Sequence, residues 1–256
     1  MSTIRGAFAH GKAFIAYVTC GDPDLITTRK LIRTLEENGI DLIELGIPFS
    51  DPTGEGPVIH ASNLRALEGG VTTDQIFRMI EDVRESVSIP LIIRTYANVV
   101  YSYGTERFIM RASEVGVDGL LLSDVPFEEK EEFAPLCRRY GMDMISLIAP
   151  TSEDRIESIA SEAEGFVYCV SSLGVTGMRE EITTDVSGMV ELARENADIP
   201  VAVGFGIATP EQAREMAEIS DGVIVGSAIV DLIERYGSDC EDAVAEFVGE
   251  IRQAVR

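Results

Sequence analysis

The segment LIELGIPFSDPTGEG spans residues 42–56 and organises the rest of the chain. It begins as a short apolar strand and continues as a loop rich in Pro, Gly, Ser and Asp. Because side chains alternate along a strand, Leu42, Glu44 and Gly46 share one face. Burying an unpaired carboxylate is costly, so Glu44 indicates either a structural ion pair or an acid/base group. We favour the acid/base group, with Glu55 brought into the same cavity by the loop.

Length and composition narrow the class of protein. The 256 residues, 45% of them apolar, suit one large α/β domain or two small ones. A net charge of −23 argues against nucleic acid and anionic membranes as partners, and no apolar run is long enough to span a membrane. The N-terminus lacks the order of a signal peptide. The widely spaced cysteines contain no CxxC, so we expect reduced thiols in a cytoplasmic protein.

Short runs rich in β-branched residues alternate with amphipathic stretches that open on helix-start signals. We expect Asp22-Pro23 to start one helix, and Thr72 and Thr209 to start two others with glutamine three residues on. The predicted strands are 14–19, 42–47, 91–96, 119–124, 144–149, 166–171, 201–206 and 222–225. Eight β/α units at this length predict a closed (β/α)₈ TIM barrel. A doubly wound open sheet is the alternative, but it usually needs fewer strands. Without a visible linker, 1–256 is expected to be a single domain.

Glycines in units six to eight predict a phosphate site. They occur at 174–177, at 204–206 and at Gly226-Ser227, which opens a short helix. Glycine lets backbone approach a ligand, a helix N-terminus favours an anion, and barrels often bind phosphate after strands seven and eight. Ordinary turn chemistry is the alternative for each glycine alone. Because the chain is acidic, local dipoles must hold any phosphate.

The acid/base candidates lie at or near strand ends: Glu44, Glu55, Asp124, Tyr168 and Tyr96. His10 and His60 end no strand. We find no Ser/His/Asp set, no cysteine beside a base, no metal cluster and no nicotinamide fingerprint in the sequence. What remains is cofactor-free lyase or isomerase chemistry on a phosphorylated substrate.

Seven motifs, read in order, give the chain a specific resemblance. They are FIAYVTCGDPD, LIELGIPFSDPTGEGPVI, TYANVVYSYG, LSDVPFEE, YCVSSLGVTG, VAVGFGI and VGSAIV. With these motifs the chain resembles the tryptophan synthase α chain family, and the match covers nearly the whole chain. The resemblance implies a (β/α)₈ barrel that cleaves indole-3-glycerol phosphate to indole and glyceraldehyde 3-phosphate. It also implies an α2β2 assembly in which the β chain carries pyridoxal phosphate and receives the indole, with no cofactor in this chain.

The resemblance also assigns roles residue by residue. Glu44 matches the general acid/base that protonates indole C3 and takes part in proton transfer from the glycerol hydroxyl. Glu55 matches the acid that stabilises charge at the indole N–H, and Tyr168 the tyrosine beside Glu44. The remaining matches are the phosphate-binding Gly177, Gly206 and Ser227, joined by the adjacent Gly226, and the pocket residues Tyr17, Tyr96, Thr176 and Phe205. A retro-aldol needs one carboxyl with a raised pKa and a second one that stays ionised.

Three residues depart from the family pattern. Glu55 replaces the usual Asp, and Ser172 stands where many bacterial members have Arg. Arg94 occupies a strand position that is usually apolar. Arg94 is expected to pair with Glu44 or Glu55 and lower its pKa, to reach towards Asp124, or to be turned outward by a bulge.

Three rival functions stay open at this point. The chain could be a stand-alone lyase that releases free indole, which high turnover without a β chain would favour. It could be a non-catalytic subunit, against which both carboxylates argue. An isomerase of phosphorylated sugars is disfavoured by the FSDPTGEGP loop.

Overall fold

Parallel strands and surrounding helices build the chain in a computed structural model that describes residues 3–150, 155–170, 186–204 and 206–256. The strands within these ranges are β1 (Ala13–Thr19), β2 (Leu42–Gly46), β3 (Leu91–Thr95), β4 (Gly119–Leu122), β5 (Asp143–Met144), β6 (Ser146–Ile148), β7 (Val167–Val170), β8 (Val201–Gly204) and β9 (Gly222–Val225). All eight predicted strands are present, and most of their bounds lie within two residues of the prediction.

The helices of the same ranges follow the predicted alternation. They are α1 (Thr3–Gly6), α2 (Leu25–Glu37), α3 (Pro57–Glu68), α4 (Thr73–Arg84), α5 (Ala97–Tyr103), α6 (Thr105–Glu114), α7 (Ala134–Arg139), α8 (Ile156–Ser161), α9 (Val186–Asn196), α10 (Pro210–Ile219), α11 (Ser227–Tyr236) and α12 (Glu241–Val255), with 3₁₀ turns at Phe127–Glu132 and Gly237–Asp239. No helix in the described part of the chain has the length and apolar character needed to cross a membrane.

The strands form one parallel sheet that closes into a barrel. Its order is β5-β4-β3-β2-β1-β9-β8-β7-β6, so the two segments at its ends are neighbours in the chain. β5 pairs with β4 and β6 pairs with β7, with Ile145 between them donating its N–H to the carbonyl of Leu120 at 2.9 Å. The predicted fifth strand is therefore broken at Ile145, and its two halves join the ends of the sheet. The predicted (β/α)₈ barrel is confirmed.

Two helix starts were predicted correctly and one was wrong. Thr72 and Thr209 each form the predicted capping box with the glutamine three residues later. The helix after β1 is capped by Asp24, whose carboxylate accepts the N–H of Thr27 at 2.7 Å. Asp22 instead makes two 2.8 Å hydrogen bonds with Arg65 of α3. A tertiary ion pair has replaced the local cap predicted from Asp22-Pro23.

Alternation along the strands produces two buried layers. Ile43 and Leu45 face the helices, whereas Leu42 faces the barrel interior. The interior is apolar near the N-terminal ends of the strands, where Ile4 of α1 packs inside the barrel. A Cβ added to Gly119 would lie 2.9 Å from Cδ1 of Ile4, which shows how closely α1 plugs this end. In the described part of the chain, α1 therefore closes the barrel interior at the N-terminal ends of the strands.

Candidate active site

Glu44 points into the barrel from the middle of β2. Its side chain has no exposed surface, and it pairs in register with Tyr17 of β1 and Ile92 of β3. Among the described residues, neither of its carboxylate oxygens has a hydrogen-bond partner. Burial, with a smaller contribution from the nearby Glu55, raises the pKa of Glu44 to about 7, although Arg94 acts to lower it. Such a carboxyl can both give and take a proton near neutral pH.

Arg94 also faces the interior and lies between the two carboxylates. Its guanidinium is 3.0 Å from Oε1 of Glu55 and 3.7 Å from Oε2 of Glu44. The first distance permits a hydrogen-bonded ion pair, whereas the second is too long for a hydrogen bond. Of the alternatives given above, pairing with Glu44 and Glu55 is confirmed, and the outward bulge is wrong. Arg94 acts to lower the pKa of Glu44, as expected, but burial raises it by more, so the net shift is upward.

Glu55 reaches the cavity from the loop after β2, as predicted, and is only 8% exposed. Tyr96 holds this loop: its hydroxyl accepts the N–H of Gly54 at 3.2 Å, and its ring lies 5.2 Å from that of Phe49. Burial raises the pKa of Tyr96, so its hydroxyl stays protonated. Tyr96, a predicted pocket residue, therefore also positions the loop that carries Glu55.

Tyr17 of β1 and Tyr168 of β7 enter the barrel interior, and each occupies space left by a glycine. A methyl group on Gly46 would overlap the hydroxyl of Tyr17, and one on Gly204 would lie 2.6 Å from the hydroxyl of Tyr168. Gly204, predicted to approach a ligand, thus makes room for a side chain instead. Burial raises the pKa of both tyrosines, so each hydroxyl stays protonated; that of Tyr17 lies 3.2 Å from Oγ1 of Thr19, whereas Tyr168 interacts electrostatically with Glu44.

The predicted phosphate side is described in part. Gly206 has a φ of +83°, a conformation that favours glycine. Gly226 and the mostly buried Ser227 begin α11, and a Cβ on Gly226 would lie 3.3 Å from that of Tyr17. This helix start therefore lies next to Tyr17 of β1. The other predicted residues of this side, Thr176, Gly177 and Phe205, lie outside the described residues, as does Ser172.

Other residues complete the surroundings. Asp124 is exposed and its carboxylate accepts the N–H of Ala97 at 2.9 Å, so it anchors the start of α5 rather than entering the interior. Ser123, which sequence reasoning missed, accepts a 3.3 Å hydrogen bond from Nε of Arg94. Alternation from Leu121 was the signal that could have found it. A cavity of about 610 Å³ begins at Arg94 and Gly54 and runs between β4 and β6, a volume suited to a small ligand.

Comparison with known proteins is consistent with this geometry. A family model described as the tryptophan synthase alpha chain matches residues 7–256. The chain belongs to the tryptophan synthase alpha chain family. A tryptophan synthase alpha chain from Lacticaseibacillus casei is 44% identical over 255 residues, covering 100% of this chain and 96% of the relative.

Solved structures of the family share the fold. The tryptophan synthase alpha subunit of Legionella pneumophila superposes with a TM-score of 0.89 at 33% identity, covering 100% of this chain and 98% of that one. A chain from the tryptophan synthase α2β2 complex of Pyrococcus furiosus gives a TM-score of 0.88 at 36% identity, covering 95% and 99%. As a tryptophan synthase alpha chain, the protein is a lyase that cleaves indole-3-glycerol phosphate in tryptophan biosynthesis. Glu55 and Arg94, two residues singled out from the sequence as unusual, contact each other.

Proposed function

We propose that Glu44 is the group that transfers protons in the cleavage of indole-3-glycerol phosphate. One observation carries the proposal: a carboxyl fully buried in the barrel, without a hydrogen bond from any described residue and with a pKa raised to about 7. In its protonated form Glu44 donates to C3 of the indole ring. In its ionised form it accepts the proton of the glycerol hydroxyl next to the bond that breaks.

The two transfers balance. Protonation at C3 places a positive charge on the indole nitrogen, and the carboxylate of Glu55 stabilises that charge. Loss of the hydroxyl proton turns the adjacent carbon into an aldehyde, the carbon–carbon bond breaks, and its electron pair restores the aromatic ring. Indole and glyceraldehyde 3-phosphate result, with no net gain or loss of protons. One carboxyl that donates first and accepts later is sufficient for the reaction.

The neighbouring residues bind and orient the substrate in this proposal. Tyr168 lies protonated beside Glu44, while Tyr17, Tyr96, Thr176 and Phe205 surround the indole ring. The phosphate binds at Gly177, Gly206, Gly226 and Ser227, where the N-terminus of α11 supplies free N–H groups and a positive dipole end. These contacts offset the acidity of the chain locally.

Partner and setting follow from the family. The protein pairs with a tryptophan synthase beta chain, as the Pyrococcus furiosus alpha chain does in its α2β2 complex, and indole passes to that chain. The pyridoxal phosphate belongs to the beta chain, and the alpha chain has no cofactor of its own. We further propose that 1–256 form a single barrel domain. Cytoplasmic location is supported by four cysteines that are all free and buried.

The experiment is indole release from indole-3-glycerol phosphate, measured with the wild type and Glu44→Gln, each with and without a cognate beta chain. We expect weak wild-type turnover that the beta chain raises and that Glu44→Gln lowers by about 10² to 10⁴-fold. Exposed Glu37→Gln on α2 is the matched control and retains activity. Turnover of Glu44→Gln close to that of the wild type would remove Glu44 from the mechanism.

A further inference from the structure

Arg94 is held in place from several sides of the cavity. Besides its ion pairs with Glu55 and Glu44, its Nε donates to Ser123, and its guanidinium lies 5.5 Å from the centre of the Tyr17 ring. The residue is 6% exposed. These contacts fix the position of the guanidinium, which is planar and always charged. Arg94 is thus a permanent cation between the two carboxylates to which the reaction has been assigned.

We propose that Arg94 is a positioning residue of the cleavage reaction: it fixes Glu55 in its ionised form and leaves Glu44 as the carboxyl that exchanges a proton. The inference rests on the roles proposed above for Glu44 and Glu55, and it adds the residue that separates those roles.

Charge counting in the buried cavity supports this division. Two carboxylates that share an enclosed site cannot easily both ionise. The fuller burial of Glu44 already favours the proton on that residue. With Arg94 present, one protonated and one ionised carboxyl give the three groups a net charge of zero. These three groups therefore carry no net charge when Glu44 is protonated and ready to donate its proton to the substrate.

The unequal distances of the two carboxylates from Arg94 favour the same distribution of the proton. Glu55 lies within hydrogen-bonding distance of Arg94, at 3.0 Å, whereas Glu44 is 3.7 Å away and has no hydrogen bond from the described residues. A charge-assisted hydrogen bond stabilises the ionised form of the carboxylate that accepts it. Glu55 therefore holds the negative charge, and Glu44 takes up the proton.

The test titrates Glu44 directly in the full chain. Carboxyl ¹³C shifts of labelled glutamate are followed against pH, and the Glu44 signal is identified by its loss in Glu44→Gln. We expect Arg94→Met to raise the titration midpoint of Glu44 by about one to three pH units, because the opposite charge is removed. Arg94→Lys restores the charge and much of the shift. Glu55→Gln alone lowers the midpoint, since it removes a like charge and leaves Arg94 to Glu44.

The double variant Arg94→Met/Glu55→Gln separates charge from folding. It removes one cation and one anion, so the Glu44 midpoint should return towards the wild-type value. In the indole-release assay, Arg94→Met should lower kcat more than tenfold with a smaller change in KM and shift the pH profile in the direction of the titration. Arg94→Lys should recover part of the loss.

An unchanged Glu44 midpoint in Arg94→Met, or in Glu55→Gln should Arg94→Met fail to fold, would overturn the proposal. Equal losses of kcat in Arg94→Met and Arg94→Lys without a pH shift would reduce Arg94 to a structural role. The proposed catalytic function fails on a different result, namely full activity of Glu44→Gln, which leaves the titration of the wild type and Arg94→Met informative.

Discussion

At the N-terminal ends of its strands the barrel interior is apolar, whereas at the C-terminal ends it holds Glu44, Glu55 and Arg94. The same strands build both ends. On β2 the step from Leu42 to Glu44, and on β3 the step from Ile92 to Arg94, covers two residues or roughly 7 Å. The first end excludes water and stabilises the fold. The second buries charge at a cost in stability and gains a carboxyl suited to proton transfer.

The largest effect on stability is expected at the apolar end. Ile4→Ala should lower the free energy of unfolding by about 2 to 5 kcal/mol, because Ile4 is fully buried and leaves a cavity among interior side chains. The kcat of the folded fraction should not change, since Ile4 lies at the opposite end from Glu44. Urea unfolding and indole release check the two statements.

Ile26→Ala on α2 is the control, because Ile26 is 64% exposed and its truncation should change stability by less than about 0.5 kcal/mol. A fall in kcat for Ile4→Ala at an equal folded fraction would show that the two ends are not independent.

At the charged end the effect on stability has the opposite sign, because the substitution there is expected to stabilise the fold. The pKa of Glu44 is raised from 4.5 to about 7, mainly by burial, so the folded chain keeps a proton that the unfolded chain releases between these values. Stability therefore falls as pH rises through this window. Because glutamine cannot ionise, Glu44→Gln should be more stable than the wild type above pH 7 by roughly 3 kcal/mol. The difference should vanish below pH 4.5.

Urea unfolding at both ends of the pH window measures this difference. The Glu37→Gln control should show the same pH dependence as the wild type, because Glu37 is exposed. Equal stability of Glu44→Gln and the wild type above pH 7 would mean that burying Glu44 carries no penalty, and the contrast between the two ends would lose its basis.

A third test fills the space beside Gly46 that the hydroxyl of Tyr17 occupies. Gly46→Ala should cost about 1 to 3 kcal/mol by overpacking, because the added methyl would overlap the hydroxyl of Tyr17 and lie 2.7 Å from its Cζ. It should also lower kcat, since Tyr17 must move within the cavity. Gly249→Ala in α12 is the control: nothing lies within 4 Å of the added methyl, and alanine favours a helix.

Whether a feature at either end of the barrel could be predicted from the sequence depends on how far apart in the chain the interacting residues lie. The strands and both threonine capping boxes were predictable because alternation and caps act over a few residues. Asp22 misled the prediction because its partner, Arg65, is 43 positions away in the chain. The plug formed by Ile4 and the break at Ile145 depend on how the barrel closes, which no local pattern contains.

The residues of the candidate site also fall into two groups: those that a local sequence pattern reveals and those that depend on tertiary structure. Glu44 and Glu55 could be found from one segment, since a carboxylate in an apolar strand is conspicuous. The direction of Arg94 could not, because a single bulge would have turned it outward. The room that Gly46 and Gly204 leave for Tyr17 and Tyr168 depends on neighbouring strands and their register.

The smallest effect is expected from removing a hydroxyl while keeping the ring. The hydroxyl of Tyr17 lies 3.2 Å from Oγ1 of Thr19, which also lies 2.6 Å from the hydroxyl of Ser62. After Tyr17→Phe, Thr19 keeps that second partner, so the cost should be about 1 kcal/mol or less. The ring still lies over Arg94, and kcat should fall by less than tenfold. A larger loss of kcat at unchanged stability would show that the Tyr17 hydroxyl contacts the substrate, and would add it to the reacting groups of the charged end.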